Sequence, residues 1–180
     1  MTLSSPLRKL ALLVHVTTSI AWPGAIAAFL ALAITGLTST DTQIVRSVYV
    51  AMPPITWYVI VPLAFAALLT GLLLSLGTKW SLLRHYWVLI KLLINAVSIP
   101  ILLLHARIIQ EVASAAEKTT LSGTDLHDQR VQLVTVSIAA LLALIIATIL
   151  SLYKPRGITP YGWSPKKKED SLVRKEYFSE

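Results

Sequence analysis

Four apolar runs, each long enough to cross a lipid bilayer, constrain the fold of this chain more than any other feature of its sequence. They cover about residues 10–34, 53–76, 86–109 and 131–152. A transmembrane helix needs about 20 predominantly apolar residues, and only helices and closed barrels span a bilayer. We therefore predict an all-α, four-helix transmembrane bundle over residues 1–153, followed by a basic tail over residues 154–180.

The composition favours the same class of protein. The chain is 55% hydrophobic and only 14% charged, as expected of a polytopic membrane protein and not of a soluble domain. Its net charge of +7 comes from basic residues that lie beside the apolar runs without a nucleic-acid-binding pattern. We therefore expect anionic lipid headgroups, and not nucleic acid, as the partner of this charge.

The distribution of lysine and arginine predicts the orientation of the bundle. Eleven of the 16 basic residues lie before the first run, between the second and third runs, or in the tail. Four lie at the two opposite loops, and Lys91 is inside a run. Because loops rich in lysine and arginine stay on the cytoplasmic side, both termini are predicted to be cytoplasmic.

Polar segments separate the runs. Loops are predicted at about residues 35–52, 77–84 and 110–130. The middle of the first loop, residues 42–51, is compatible with a short interfacial helix. The fourth run has few polar residues and is interpreted mainly as scaffold.

The third run carries polar side chains along one helix face. At about 100° per residue, the following residues share that face: Lys91, Asn95, Ser98 and His105. An ionisable group inside a membrane span is costly and usually faces the bundle interior, so it marks a candidate functional site.

The first run has a matching stripe of His15, Ser19 and Trp22. His15 and Lys91 each lie about five residues inside the same membrane border, which places both at a depth of ~7–8 Å. His105 is 14 residues beyond Lys91, or ~21 Å along the helix. We therefore predict an inner site of His15 with Lys91 and Asn95, and a weaker outer site at His105.

Several kinds of chemistry are excluded. The chain has no cysteine, which removes disulfides, thiolate metal sites, iron–sulfur clusters and covalent haem attachment. It also has no nucleophile elbow, phosphate-binding loop, zinc motif or pair of intramembrane carboxylates.

A histidine on the inward stripe of a four-helix membrane bundle is typical of haem b binding. The leading hypothesis is therefore a haem-b protein with a redox or electron-transfer role. His15 is its predicted axial, metal-binding ligand, and the rest of the predicted cofactor site is Trp22, Lys91, Asn95 and His105. A bis-histidine haem needs two imidazoles at similar depth, which the sequence does not supply. A five-coordinate haem, or Lys91 as second ligand or propionate partner, stays open.

Three stretches carry a resemblance that covers nearly the whole chain: RKLALLVHVTTSIAWPGA, LTGLLLSLGTKWSLLRHYWVLIKLL and YKPRGITPYGW. They resemble small actinobacterial four-helix integral membrane proteins of the DUF2269-like kind. This implies a multi-pass protein of a bacterial plasma membrane and no particular activity.

A second, shorter resemblance covers about a third of the chain. Leu13-Val14-His15 followed by Ala21-Trp22, together with Lys91-Leu92-Leu93, is similar to the haem-binding, four-helix membrane protoporphyrinogen oxidases and to copper-resistance-D-like membrane proteins. It implies a haem ligand at His15 and a functional lysine at Lys91. The predicted loops and the position of His105 depart from that pattern.

Simpler interpretations stay open beside these. Lys91 is close enough to the border for its ammonium to reach cytoplasmic water. His15 could only hydrogen-bond Ser19 or a carbonyl, and His105 with Arg107 could anchor the interface. The alternative function is a non-catalytic membrane component or small transporter whose polar seam packs or passes protons or ions. The sequence leaves open whether the protein is an enzyme, a haem-dependent oxidoreductase being one option, and whether it has a redox partner or forms a homo-oligomer.

Overall fold

The computed structural model describes residues 4–76, 86–118 and 124–153, and their secondary structure is helical. In chain order the elements are α1 (Ser5–Thr38), α2 (Thr42–Ile55), a π-helical segment (Thr56–Ile60), α3 (Val61–Leu76), α4 (Tyr86–Glu117) and α5 (Thr124–Tyr153). Because α2, the π-helical segment and α3 are continuous, the described residues form four helices long and apolar enough to cross a membrane. The predicted all-α fold class, with four helices of this length and apolar character, is confirmed. The predicted loop at residues 77–84 and the tail at residues 154–180 lie outside the described residues.

The helices pack as a bundle around one core. Helix α1 contacts α2, α3 and α5, and α4 contacts α2, α3 and α5. The start of α1, the end of α3, the start of α4 and the end of α5 share one end, which we call the terminal end. The turn between α1 and α2 marks the opposite end, which we call the loop end. Every span therefore contributes side chains to both ends.

The predicted first loop was too long. Its observed turn is only residues 39–41, because Asp41 caps α2 by accepting hydrogen bonds from the backbone N–H groups of Gln43 and Ile44. Residues 42–51, for which the sequence is compatible with a short interfacial helix, are helical but form the first turns of the second span. Val45, Tyr49 and Met52 recur at helical spacing and are buried, and this packing holds the segment in the bundle.

The predicted third loop was also too long. Helix α4 continues to Glu117 and α5 begins at Thr124. Val112, Ala113 and Ala116 are buried, so the end of α4 extends the core beyond the apolar run that the sequence delimits. Burial of these apolar side chains in the core stabilises this part of α4, although the charged and polar residues beside them lower its average hydropathy.

The π-helical segment lies between two interruptions of the second span. Pro53 and Pro54 precede it and Pro62 follows it, and proline has no N–H to donate within a helix. Thr56 in this segment is fully buried and donates its hydroxyl hydrogen to the Met52 carbonyl over 2.9 Å. The Met52 carbonyl thus accepts from both the backbone N–H and the hydroxyl of Thr56.

A polar contact joins three helices at the loop end. Arg130 of α5 donates to the Tyr49 hydroxyl over 2.9 Å and to the Gly36 carbonyl, and its guanidinium lies 5.3 Å from the centre of the Tyr49 ring. Tyr49 is 1% exposed and packs directly on Gly36. We call Gly36, Tyr49 and Arg130 the loop-end latch. It fixes α1, α2 and α5 relative to one another.

Candidate functional site

The terminal end of the bundle contains a polar cluster to which each of the four spans contributes one side chain. Lys91 Nζ lies 3.5 Å from His15 Nε2 and 3.3 Å from Ser151 Oγ, and His15 Nδ1 lies 3.0 Å from Thr70 Oγ1. We call His15, Thr70, Lys91 and Ser151 the His15–Lys91 cluster. His15 and Lys91 are both half-buried. The structure therefore brings together, from α1 and α4, the two residues that the sequence places at one depth.

The hydrogen bonds fix which imidazole nitrogen carries the proton. Thr70 Oγ1 lies 2.6 Å from the Ala66 carbonyl, which can only accept, so the threonine hydrogen is donated there. The threonine oxygen must then accept from His15, and Nδ1 is the protonated nitrogen. His15 Nε2 is left with a lone pair, which faces the Lys91 ammonium. The arrangement is a neutral imidazole that accepts a long hydrogen bond from a lysine.

A glycine makes room for the imidazole. A Cβ added at Gly71 would lie 3.0 Å from His15 Cε1 and 3.5 Å from Nδ1. Helix α3 thus supports the ring with Gly71 and orients it with the neighbouring Thr70. The sequence indicates both residues only as small groups suited to close helix packing.

The Lys91 ammonium has no carboxylate beside it among the described residues. Within α4 the first acidic residue is Glu111, 20 residues or ~30 Å along the helix. The hydrogen-bond acceptors of Lys91 are a neutral imidazole and a neutral hydroxyl. A positive charge partly removed from water without a counter-ion costs free energy, and such groups usually have a function.

The remaining predicted cofactor residues lie elsewhere. Trp22 and His105 line a cavity nearer the loop end, and neither His15 nor Lys91 lines it. Asn95 is 7% exposed and belongs to neither group. The predicted cofactor residues therefore do not form one site: His105 lies apart from His15 and Lys91, as its predicted outer position implies, and Trp22, which the sequence places beside His15, lines the cavity with His105.

Both ring nitrogens of His105 have hydrogen-bond partners, as those of His15 do. Its Nδ1 donates to the Ile101 carbonyl over 2.9 Å, and its Nε2 lies 3.4 Å from the Gln132 side-chain nitrogen. Because a carbonyl can only accept, Nδ1 carries the proton and Nε2 accepts from the Gln132 amide. The sequence predicts that Gln132 belongs to a plain scaffold helix, and its contact with His105 was missed.

The side chains around His15 do not fit an iron ligand as they stand. The nitrogen that would bind iron, Nε2, faces the Lys91 ammonium, and Gly71 packs against the ring from α3. A haem plane has no space within the 3.5 Å that separates Nε2 from Nζ. Asn95 and Trp22 do not contribute to this cluster. The ring can act chemically here as a proton acceptor toward the lysine.

Ser151 is, with Thr70, a cluster member that the sequence does not predict as a site residue. It lies two residues before the end of α5 at Tyr153, in a helix interpreted as scaffold. Its depth was a usable signal, since a residue so near the end of the fourth span lies at about the same level as Lys91. Whether its side of α5 is turned toward Lys91 depends on how the helices pack.

No family model, curated protein or solved structure matches this chain.

The tautomer of His15 gives a first prediction. Replacing Thr70 with valine, which keeps the shape and removes the hydroxyl, is expected to reduce the fraction of imidazole protonated at Nδ1. ¹⁵N-imidazole chemical shifts of histidine-labelled protein would measure this, with the His15 signals assigned by their loss in His15→Leu. Thr148→Val, at an exposed position of α5, is the control. An unchanged tautomer in Thr70→Val would show that Thr70 does not orient the ring.

Proposed function

We propose that the protein is a small proton-translocating component of a bacterial plasma membrane and that the His15–Lys91 cluster is its proton-binding site. One observation carries the proposal: an ammonium inside the bundle contacts a neutral imidazole and has no carboxylate beside it among the described residues. Ionisable groups in membrane spans commonly belong to ion pathways and proton relays.

The cluster can hold one exchangeable proton in two positions. In the arrangement described, Lys91 carries the proton and His15 Nε2 accepts a hydrogen bond from it. When the proton moves, the Nζ–H bond breaks and an Nε2–H bond forms, so lysine becomes neutral and the imidazole positive. The Nδ1–H group stays hydrogen-bonded to Thr70 in both forms. The net charge is conserved, and the proton shifts from α4 to α1.

Proton flux into proteoliposomes tests the proposal. Purified protein is reconstituted around a pH-sensitive dye, and a potassium gradient with valinomycin supplies the driving voltage. We expect wild-type flux above that of protein-free liposomes, and we expect His15→Leu and Lys91→Met each to reduce it to that background. Lys9→Met removes the same charge at an exposed position and should leave the flux intact. Wild-type flux equal to the background would overturn the proposal.

Haem b binding with a redox role is the second candidate function. The hydrogen bond between Nδ1 and Thr70 favours it, because iron-ligating histidines commonly donate their second ring N–H. His15 could bind iron only if Lys91 first rotated away from Nε2. A Soret band that is lost in His15→Leu would support this candidate. Protein that stays colourless after growth with a haem precursor would exclude it.

The proposed orientation, with both termini in the cytoplasm, can be tested directly because the chain has no native cysteine. Thr40→Cys places a thiol in the turn between α1 and α2, and Ser4→Cys places one just before α1. A membrane-impermeant maleimide added to intact cells is expected to label the Thr40 variant. The Ser4 variant should be labelled only after permeabilisation. The reverse pattern would contradict the orientation.

A further inference from the structure

A cavity of about 490 Å³ lies inside the bundle, further toward the loop end than the His15–Lys91 cluster. Helix α1, the π-helical segment, α4 and α5 form its walls, and no member of the cluster lines it. Small-molecule sites typically measure about 300–1,000 Å³, whereas one water takes up about 30 Å³. The cavity is therefore of a size suited to an organic ligand.

The walls are largely aliphatic. Ile26, Phe29, Ile60 and Leu144 are typical lining residues, and each is at most 6% exposed. A ligand that fills this space must have an apolar body, because few wall groups can hydrogen-bond to it.

One polar group of the wall, the Trp22 indole N–H, lacks a hydrogen-bond acceptor. Trp22 is 3% exposed, and its indole N–H has no acceptor among the described residues. Thr56 and Ser137 donate their hydroxyl hydrogens to the carbonyls of Met52 and Leu133 over 2.9 and 2.7 Å. An indole nitrogen can only donate, and a buried donor without a partner is costly. A ligand oxygen beside Trp22 would remove that cost.

The cavity reaches the surface between α4 and α5. Two α4 side chains that line it, Val97 and Ile101, are 49% and 43% exposed, and Ala139 of α5 is exposed as well. All three lie within the predicted membrane spans, where acyl chains surround the protein. A ligand entering here comes from the lipid and is itself lipid-soluble.

We propose that this cavity binds a lipid-soluble molecule with an apolar body and a carbonyl oxygen, and that Trp22 donates its indole N–H to that oxygen. Two sources supply this chemistry: the ring carbonyl of a quinone and the ester carbonyl of an acyl lipid. This inference does not depend on proton translocation, because the cavity and the His15–Lys91 cluster share no residue.

Titration calorimetry of the full chain in detergent tests the proposal with two probes, menadione for a quinone and methyl oleate for an acyl ester. We expect one of them to bind saturably at a single site, and its identity distinguishes the two sources. Trp22→Phe keeps an aromatic ring and removes the N–H, and should weaken binding about tenfold. Trp57→Phe, at a residue that is 48% exposed and not part of the cavity, should bind as the wild type does.

A second variant tests the cavity without changing Trp22. Ala140→Leu adds volume at a lining position and should abolish binding, whereas Ala28→Leu adds the same volume at an exposed position of α1 and should not. Circular dichroism establishes that each variant is folded. Failure of both probes to saturate the wild type overturns the proposal. Equal affinity in Trp22→Phe also overturns it, since water alone would then satisfy the indole.

Discussion

His15→Leu is expected to destabilise the protein by up to about 3 kcal/mol, whereas Lys91→Met is expected to change its stability by less than about 1 kcal/mol. Removing the imidazole leaves a partly buried ammonium with Ser151 as its remaining acceptor. Removing the lysine replaces a charge without a counter-ion by an apolar side chain, and this gain offsets the hydrogen bond that His15 loses. Both variants should nevertheless lose proton flux. Thermal unfolding in detergent, followed by circular dichroism, measures the stability difference.

The double variant His15→Leu with Lys91→Met completes the cycle. It should regain most of the stability lost in His15→Leu, because no charge is then left without its partner. It should not regain flux. A structural role for the pair predicts a different result, in which each single variant destabilises by a similar amount. That result would count against a functional lysine.

Gly36→Ala is expected to destabilise the protein by about 1–3 kcal/mol, the usual cost of overpacking a core. The added Cβ would lie 2.6 Å from Tyr49 Cζ and 2.9 Å from its hydroxyl oxygen. Tyr49 cannot move aside cheaply, because it is 1% exposed and its hydroxyl accepts a hydrogen bond from Arg130. The substitution therefore disturbs all three members of the loop-end latch.

Gly24→Ala is the matched control in the same helix. A Cβ at Gly24 meets nothing within 4 Å, so this variant should be neutral or more stable by up to about 1 kcal/mol, since alanine favours helix over glycine. Thermal unfolding of the two variants under one set of conditions gives the comparison. Equal shifts for both glycines would show that the latch does not limit stability.

Depth along a membrane helix could be predicted from residue position alone. His15 and Lys91 were assigned one level from their distance to the ends of their apolar runs, and they lie in contact. The same reasoning separates His105 from them by about four turns. These predictions succeed because a spanning helix rises about 1.5 Å per residue in a known direction.

The ends of the helices could not be predicted equally well. Hydropathy places the second span at Pro53, but the helix begins at Thr42. Tyr49 accounts for the difference, because its burial depends on Gly36 and Arg130, which are 13 and 81 residues away in the chain. A contact between distant residues is invisible to a hydropathy window.

The sequence alone determined the fold class, the four long apolar helices and the common level of His15 and Lys91 along the bundle. Apolar length and helical rise are local properties, so no knowledge of packing was needed. The rotation of each helix about its axis was decided only by tertiary packing. That rotation brings Thr70 to His15 and Ser151 to Lys91, and it places Gly71 against the imidazole. It also places Trp22 and His105 in the lining of a separate cavity. In a helix that is apolar on nearly all sides, the hydrophobic pattern gives little information about the inward face, and the fit of small side chains against neighbouring helices sets it.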